Sequence, residues 1–133
     1  MNKLVAGEEQ LFDRDGWMDQ LGVSIRDTGN AMSRDAVDDL SQRISIHRLK
    51  KYRLSVGRST RIIVDRLDAD LIAQKLSPSR LNEILEDGSV HADAHGLIEY
   101  WGRRTIAGLL LMPPTRHCFV HLNEADRIKN KIG

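Results

Sequence analysis

The sequence predicts an α+β fold in which three or four helices pack on a small antiparallel sheet near the C-terminus. Two observations lead to this prediction. Between residues 33 and 86, apolar positions recur at helical spacing and are framed by residues that begin and end helices. In the last third, the spacing of apolar residues shortens to two, and glycine and proline separate the apolar runs, as is typical of strands joined by turns.

The helices are predicted first. Residues 8–21 indicate a short helix interrupted at Gly16, and residues 22–32 a loop. The clearest helix begins at Ser33, a favourable N-cap, and extends to Lys51, with acids early and bases late to complement its dipole. Residues 52–64 fit either a β-hairpin or the start of a helix at 59–60 that continues to residue 76, and we prefer the helix. Pro78 begins another helix, and residues 87–88 end it.

The predicted sheet comprises residues 97–101, 105–112 and 117–122 as an antiparallel meander, with turns at 102–104 and 113–116. The run 106–112 is apolar on both faces, so it should be the central strand. Residues 123–132 should form a terminal helix.

Length and composition indicate one domain over residues 1–133, with an acidic N-terminal arm over about residues 1–32. The single cysteine, Cys118, cannot form an internal disulfide, and the first residues do not read as a secretory signal. The longest apolar run is far shorter than the roughly 20 residues that cross a bilayer. We therefore expect a cytoplasmic protein with no membrane contact and no cofactor.

The net charge of +1 conceals two opposed segments. Residues 8–39 contain nine acids and three arginines, whereas residues 43–61 contain seven arginines and lysines and no acid. Such a basic segment predicts a surface that binds a polyanion. The alternative is that the acidic arm folds back on the basic segment and neutralises it.

Residues 72–85, with the sequence IAQKLSPSRLNEIL, read as two short helices joined by a tight turn, and the hairpin predicted after them has Arg103 and Arg104 at its tip. This order is similar to that of a winged helix-turn-helix domain. The resemblance implies that the helix from Pro78 presents Arg80 and Asn82 to base edges, while the hairpin reaches a phosphate or the minor groove. Together with the basic segment, the predicted nucleic-acid-binding residues are Arg48, Lys50, Lys51, Arg53, Arg58, Arg61, Arg80, Asn82, Arg103 and Arg104.

The predicted function is therefore nucleic-acid binding, with DNA and a regulatory role preferred and an enzyme disfavoured because no set of nucleophile, base and orienting acid is apparent. One alternative is a non-enzymatic adaptor or inhibitor that binds an acidic protein, and a homodimer stays open. The third is a small metal-dependent hydrolase that uses the late histidines, His91, His95, His117 and His121. On a strand His117 and His121 would lie about 13 Å apart, too far to share an ion, whereas a helix would bring them together.

Overall fold

The computed structural model describes residues 1–132, which form helices joined by turns and loops. The α-helices are α1 (Leu11–Arg14), α2 (Trp17–Leu21), α3 (Arg34–Arg43), α4 (Ile46–Asp65), α5 (Ala69–Ala73), α6 (Pro78–Glu86), α7 (Gly96–Gly102), α8 (Ile106–Leu110) and α9 (His117–Ile132). Shorter turns of π or 3₁₀ geometry lie at Asn2–Ala6, Ala92–Ala94 and Met112–Arg116. Among these residues, no helix combines the length and the apolar character needed to cross a membrane.

The predicted α+β fold is wrong, because the described residues contain no sheet. The three expected strands lie in α7, α8 and the first turns of α9, and the extended pairing is a single antiparallel bridge between Lys75 and Thr105. The run at 106–110 contains Ala107, Leu109 and Leu110, which favour helices. The Thr105 side chain accepts a hydrogen bond from the Gly108 N–H and so caps α8. A short run apolar on both faces is equally typical of a buried helix.

The winged-helix resemblance fails with the sheet, because its wing would be the missing hairpin. Gly102 is the last residue of α7, and residues 103–105 join α7 to α8 instead of forming a hairpin turn. Arg103 contacts Glu99 one turn earlier, with 3.8 Å between Arg103 Nη2 and Glu99 Oε2. Arg104 lies over the Tyr100 ring, 4.5 Å from its centroid. Both side chains are held by their own helix end.

The helix signals in the middle of the chain are partly confirmed. Ser33 caps α3 by accepting a hydrogen bond from the Ala36 N–H, and α6 begins at Pro78 as predicted. The helix expected over 33–51 is two helices, because Ser45 caps a new one by accepting from the Arg48 N–H. From that cap α4 runs for 20 residues to Asp65. The hairpin over 52–64 and the helix start at 59–60 are therefore both wrong.

Two hydrophobic clusters hold the helices together, and α4 takes part in both. The first surrounds Leu109, which is 1% exposed, and its buried members are Val5, Ile63, Leu76, Ile106 and Leu109. The second is formed by Leu11, Trp17 and Leu21 of the predicted acidic arm, with Tyr52 and Val56 of α4 packed against it. The centroid of the Tyr52 ring lies 5.3 Å from that of Trp17 and 5.8 Å from that of Phe12. Burial, and to a lesser extent the negative charge of Asp13, raises the pKa of the Tyr52 hydroxyl.

Candidate functional site

One face of helix α4 presents four basic side chains and two apolar side chains to solvent. At 3.6 residues per turn these six side chains fall within a sector of roughly 120°. The opposite side of the helix carries Tyr52, Val56 and Ile63 into the two clusters. We call the outward sector the basic face of α4, and it consists of Lys50, Lys51, Leu54, Arg58, Arg61 and Ile62, all exposed.

The acidic arm does not neutralise the basic face of α4. Within residues 1–132, none of its four bases forms a salt bridge. The acids of residues 8–39 that do form salt bridges have other partners, which are Arg66 for Glu8, Arg26 for Asp13, Arg14 for Asp15 and Arg43 for Asp39. By helical spacing, exposed Asp65 falls within the same sector, so the basic face carries a net positive charge that salt bridges to the acidic arm do not neutralise.

Arg48 and Arg53 border this face and make contacts inside the chain. The Arg48 guanidinium donates a hydrogen bond to the Gln20 carbonyl at 2.6 Å, and Arg53 Nη2 lies 3.9 Å from the Cys118 Sγ at the start of α9. Each bond takes one guanidinium nitrogen, so both arginines keep donors that can reach a ligand.

The apolar members are the part of this face that the sequence analysis did not identify. Leu54 and Ile62 are 62% and 51% exposed, respectively, and Gly57 leaves a shallow groove between them that is also lined by Arg53, Arg58 and Arg61. The helix preferred from the sequence started at 59–60, so Leu54 and Ile62 were not recognised as residues of one helix. Projecting the sequence onto one helix from Ser45 would have put both residues among the bases.

The other predicted nucleic-acid-binding residues do not belong to this face. Arg80 points inward, where its Nη1 donates to the carbonyls of Leu4 and Val5 at 3.3 and 3.0 Å. Its guanidinium lies so close to Gly7 that a Cβ there would be 2.7 Å from Nη2. Arg80 is therefore a structural residue. Asn82 is exposed on the same helix, and Arg103 and Arg104 make the local contacts described above.

The late histidines divide into two pairs with different geometry. His117 and His121 lie one turn apart on α9, and their Nε2 atoms are 2.8 Å apart. His121 Nδ1 is 3.0 Å from Glu124 Oε2, so a carboxylate orients the ring. His91 and His95 flank the turn Ala92–Ala94, where His91 Nδ1 accepts from the Asp93 N–H. No group of three potential metal-ligating side chains forms within residues 1–132.

Two surface features could therefore bind a ligand, the basic face of α4 and the histidine pair of α9. Both are exposed helix surfaces rather than enclosed pockets. Their functions have to be argued from these side chains, since the chain matches no protein-family model, no curated protein and no solved structure.

Proposed function

We propose that this protein is a non-enzymatic adaptor that binds an acidic, amphipathic protein segment through the basic face of α4. The observation that carries the proposal is that four basic residues without salt bridges share one side of a single helix with exposed Leu54 and Ile62. Carboxylates of a partner would pair with the guanidinium and ammonium groups. Its apolar side chains would cover the leucine and isoleucine, which is the helix-in-groove mode of recognition. The single cysteine suits a reducing compartment, and we place this interaction in the cytoplasm.

Nucleic-acid binding, the function predicted from the sequence, is the competing outcome for the same face. It is supported by the run of lysine and arginine side chains without salt bridges, which would release counterions from phosphates. The apolar residues weigh against it, because nucleic-acid interfaces are more polar than protein interfaces and phosphates gain nothing from Leu54 or Ile62. Arg80 was also predicted to contact nucleotide bases, but its guanidinium donates hydrogen bonds to backbone carbonyls.

The test measures fluorescence anisotropy of two labelled probes, an acidic peptide with leucine at every fourth position and a mixed-sequence DNA duplex, at low and moderate salt. We expect the peptide to bind and Lys51→Glu/Arg58→Glu to weaken it at least tenfold, a loss of about 1.4 kcal/mol. The matched control, Lys129→Glu/Lys131→Glu on exposed α9, changes net charge equally and should alter affinity less than twofold.

A second pair of variants separates protein from nucleic acid. Leu54→Ala/Ile62→Ala should weaken the peptide severalfold and leave any duplex binding unchanged, because only a protein partner buries those side chains. Tight duplex binding that is insensitive to this change, with no peptide binding, would establish the nucleic-acid function instead. Equal losses in the α4 charge variant and its α9 control would remove the basic face from consideration.

A second candidate function, metal-dependent hydrolysis, is favoured by the histidine pair. In a tetrahedral zinc site two imidazole nitrogens lie about 3.3 Å apart, so the 2.8 Å between the His117 and His121 Nε2 atoms needs only a small adjustment. Glu124 already contacts the other nitrogen of His121, as carboxylates commonly do behind metal-binding histidines. Catalytic zinc sites have three protein ligands and this pair supplies two, so hydrolysis would need a third ligand from outside the pair, with a position left for water.

Calorimetric titration with zinc chloride tests this pair. We expect one equivalent to bind, with an affinity at least tenfold lower in His117→Ala/His121→Ala and unchanged in the control His91→Ala/His95→Ala. The two pairs are both exposed and equal in number, so loss of zinc binding in both variants would indicate nonspecific association. Absence of heat in the unmodified protein would eliminate the metal function.

A further inference from the structure

We infer that one partner for the basic face of α4 is a second copy of this chain, which would present its acidic helix α3. The inference rests on the proposed function, because it needs the same face to bind an acidic and partly apolar surface. It adds the identity of a partner and a symmetric arrangement.

Helix α3 has the complementary chemistry. Asp35 and Asp38 are exposed on it, and neither forms a salt bridge within the part of the chain that the structure describes. Val37 is 44% exposed but lies roughly 100° around the helix from Asp38, and no residue of α3 is buried. The helix therefore offers two free carboxylates, which complement the positive charges of the basic face of α4.

The arrangement of the two helices suits a two-fold axis. α3 and α4 are consecutive, with only Ile44 and Ser45 between them. Each copy therefore carries an acidic helix followed directly by a basic one, and a two-fold axis could pair α3 with α4 twice in one interface. The chain as a whole carries a charge of only +1, so two copies have little net repulsion to overcome.

The experiment measures mass by light scattering after size-exclusion chromatography at low salt. The unmodified protein should elute at twice the 15.1 kDa chain mass and shift towards the monomer as salt is raised. Asp35→Lys/Asp38→Lys and Lys51→Glu/Arg58→Glu should each be monomeric, because each places like charges opposite one another at both contacts.

Mixing the two variants in equal amounts should restore a dimer that contains one copy of each, because both contacts then join opposite charges. Misfolded variants cannot produce this recovery, and circular dichroism of each variant checks that its helices are retained. A mixture that stays monomeric, or an unmodified protein that is monomeric at every concentration, would overturn the inference.

The two proposals fail in different ways. A monomeric unmodified protein that still binds the acidic peptide in a salt-sensitive manner would refute the dimer and leave the adaptor function standing. If the protein is a dimer, and excess acidic peptide neither binds to it nor displaces a subunit, the adaptor function would be refuted and the dimer would stand.

Discussion

Leu109→Ala is expected to lower the free energy of unfolding by about 2–5 kcal/mol, because the variant would leave a cavity at the centre of the first cluster. Leu109 is 1% exposed and packs with Ile63 of α4 and Ile106 of its own helix. Denaturant unfolding followed by circular dichroism measures the change, with the midpoint moving at constant slope.

The matched control is Leu111→Ala, two residues further along the chain. Leu111 is 50% exposed, so the same truncation should cost well under 1 kcal/mol. Equal losses for the two variants would mean that the cluster around Leu109 is not packed as described.

Arg80→Ala is expected to lower the free energy of unfolding by about 1–3 kcal/mol, because two partly buried carbonyls would lose their donor. The carbonyls belong to Leu4 and Val5, and Val5 is a buried member of the first cluster. Anisotropy measured with the acidic peptide and the duplex on the folded variant should match the unmodified protein.

Asn82→Ala provides the comparison for Arg80, since Asn82 lies on the same helix and is exposed. We expect almost no change in stability for this variant. If Arg80→Ala instead kept full stability and lost duplex binding, its assignment as a nucleic-acid contact would be right and the structural role wrong.

Local signals in the sequence were sufficient where one side chain determines the backbone nearby. Ser33 and Pro78 begin helices as predicted, because a hydroxyl cap and a proline in the first turn act within a few residues. The last third of the chain was predicted as strands because short apolar runs fit both the two-residue period of a strand and the 3.6-residue period of a helix. His117 and His121 then moved from an expected 13 Å on a strand, about four residues of rise, to a contact on one helix face.

The candidate site was predictable in charge but not in shape. The acid-free basic segment was visible in the sequence, and α4 carries six of the ten predicted contact residues. The position of Arg80 was not predictable, because the carbonyls that hold it lie 75 and 76 residues earlier in the chain. Nor was the exposure of Leu54 and Ile62, which follows from the boundaries of α4 and from what packs on its other side.

The position of α4 between the two clusters makes it the element through which they melt together. Tyr52 and Val56 belong to one cluster and Ile63 to the other, within a single 20-residue helix. Unwinding that helix at either end removes side chains from a cluster and weakens the support of the rest, which favours a cooperative all-or-none transition. A ligand on its outer surface would then raise the melting temperature of the whole domain without touching either cluster.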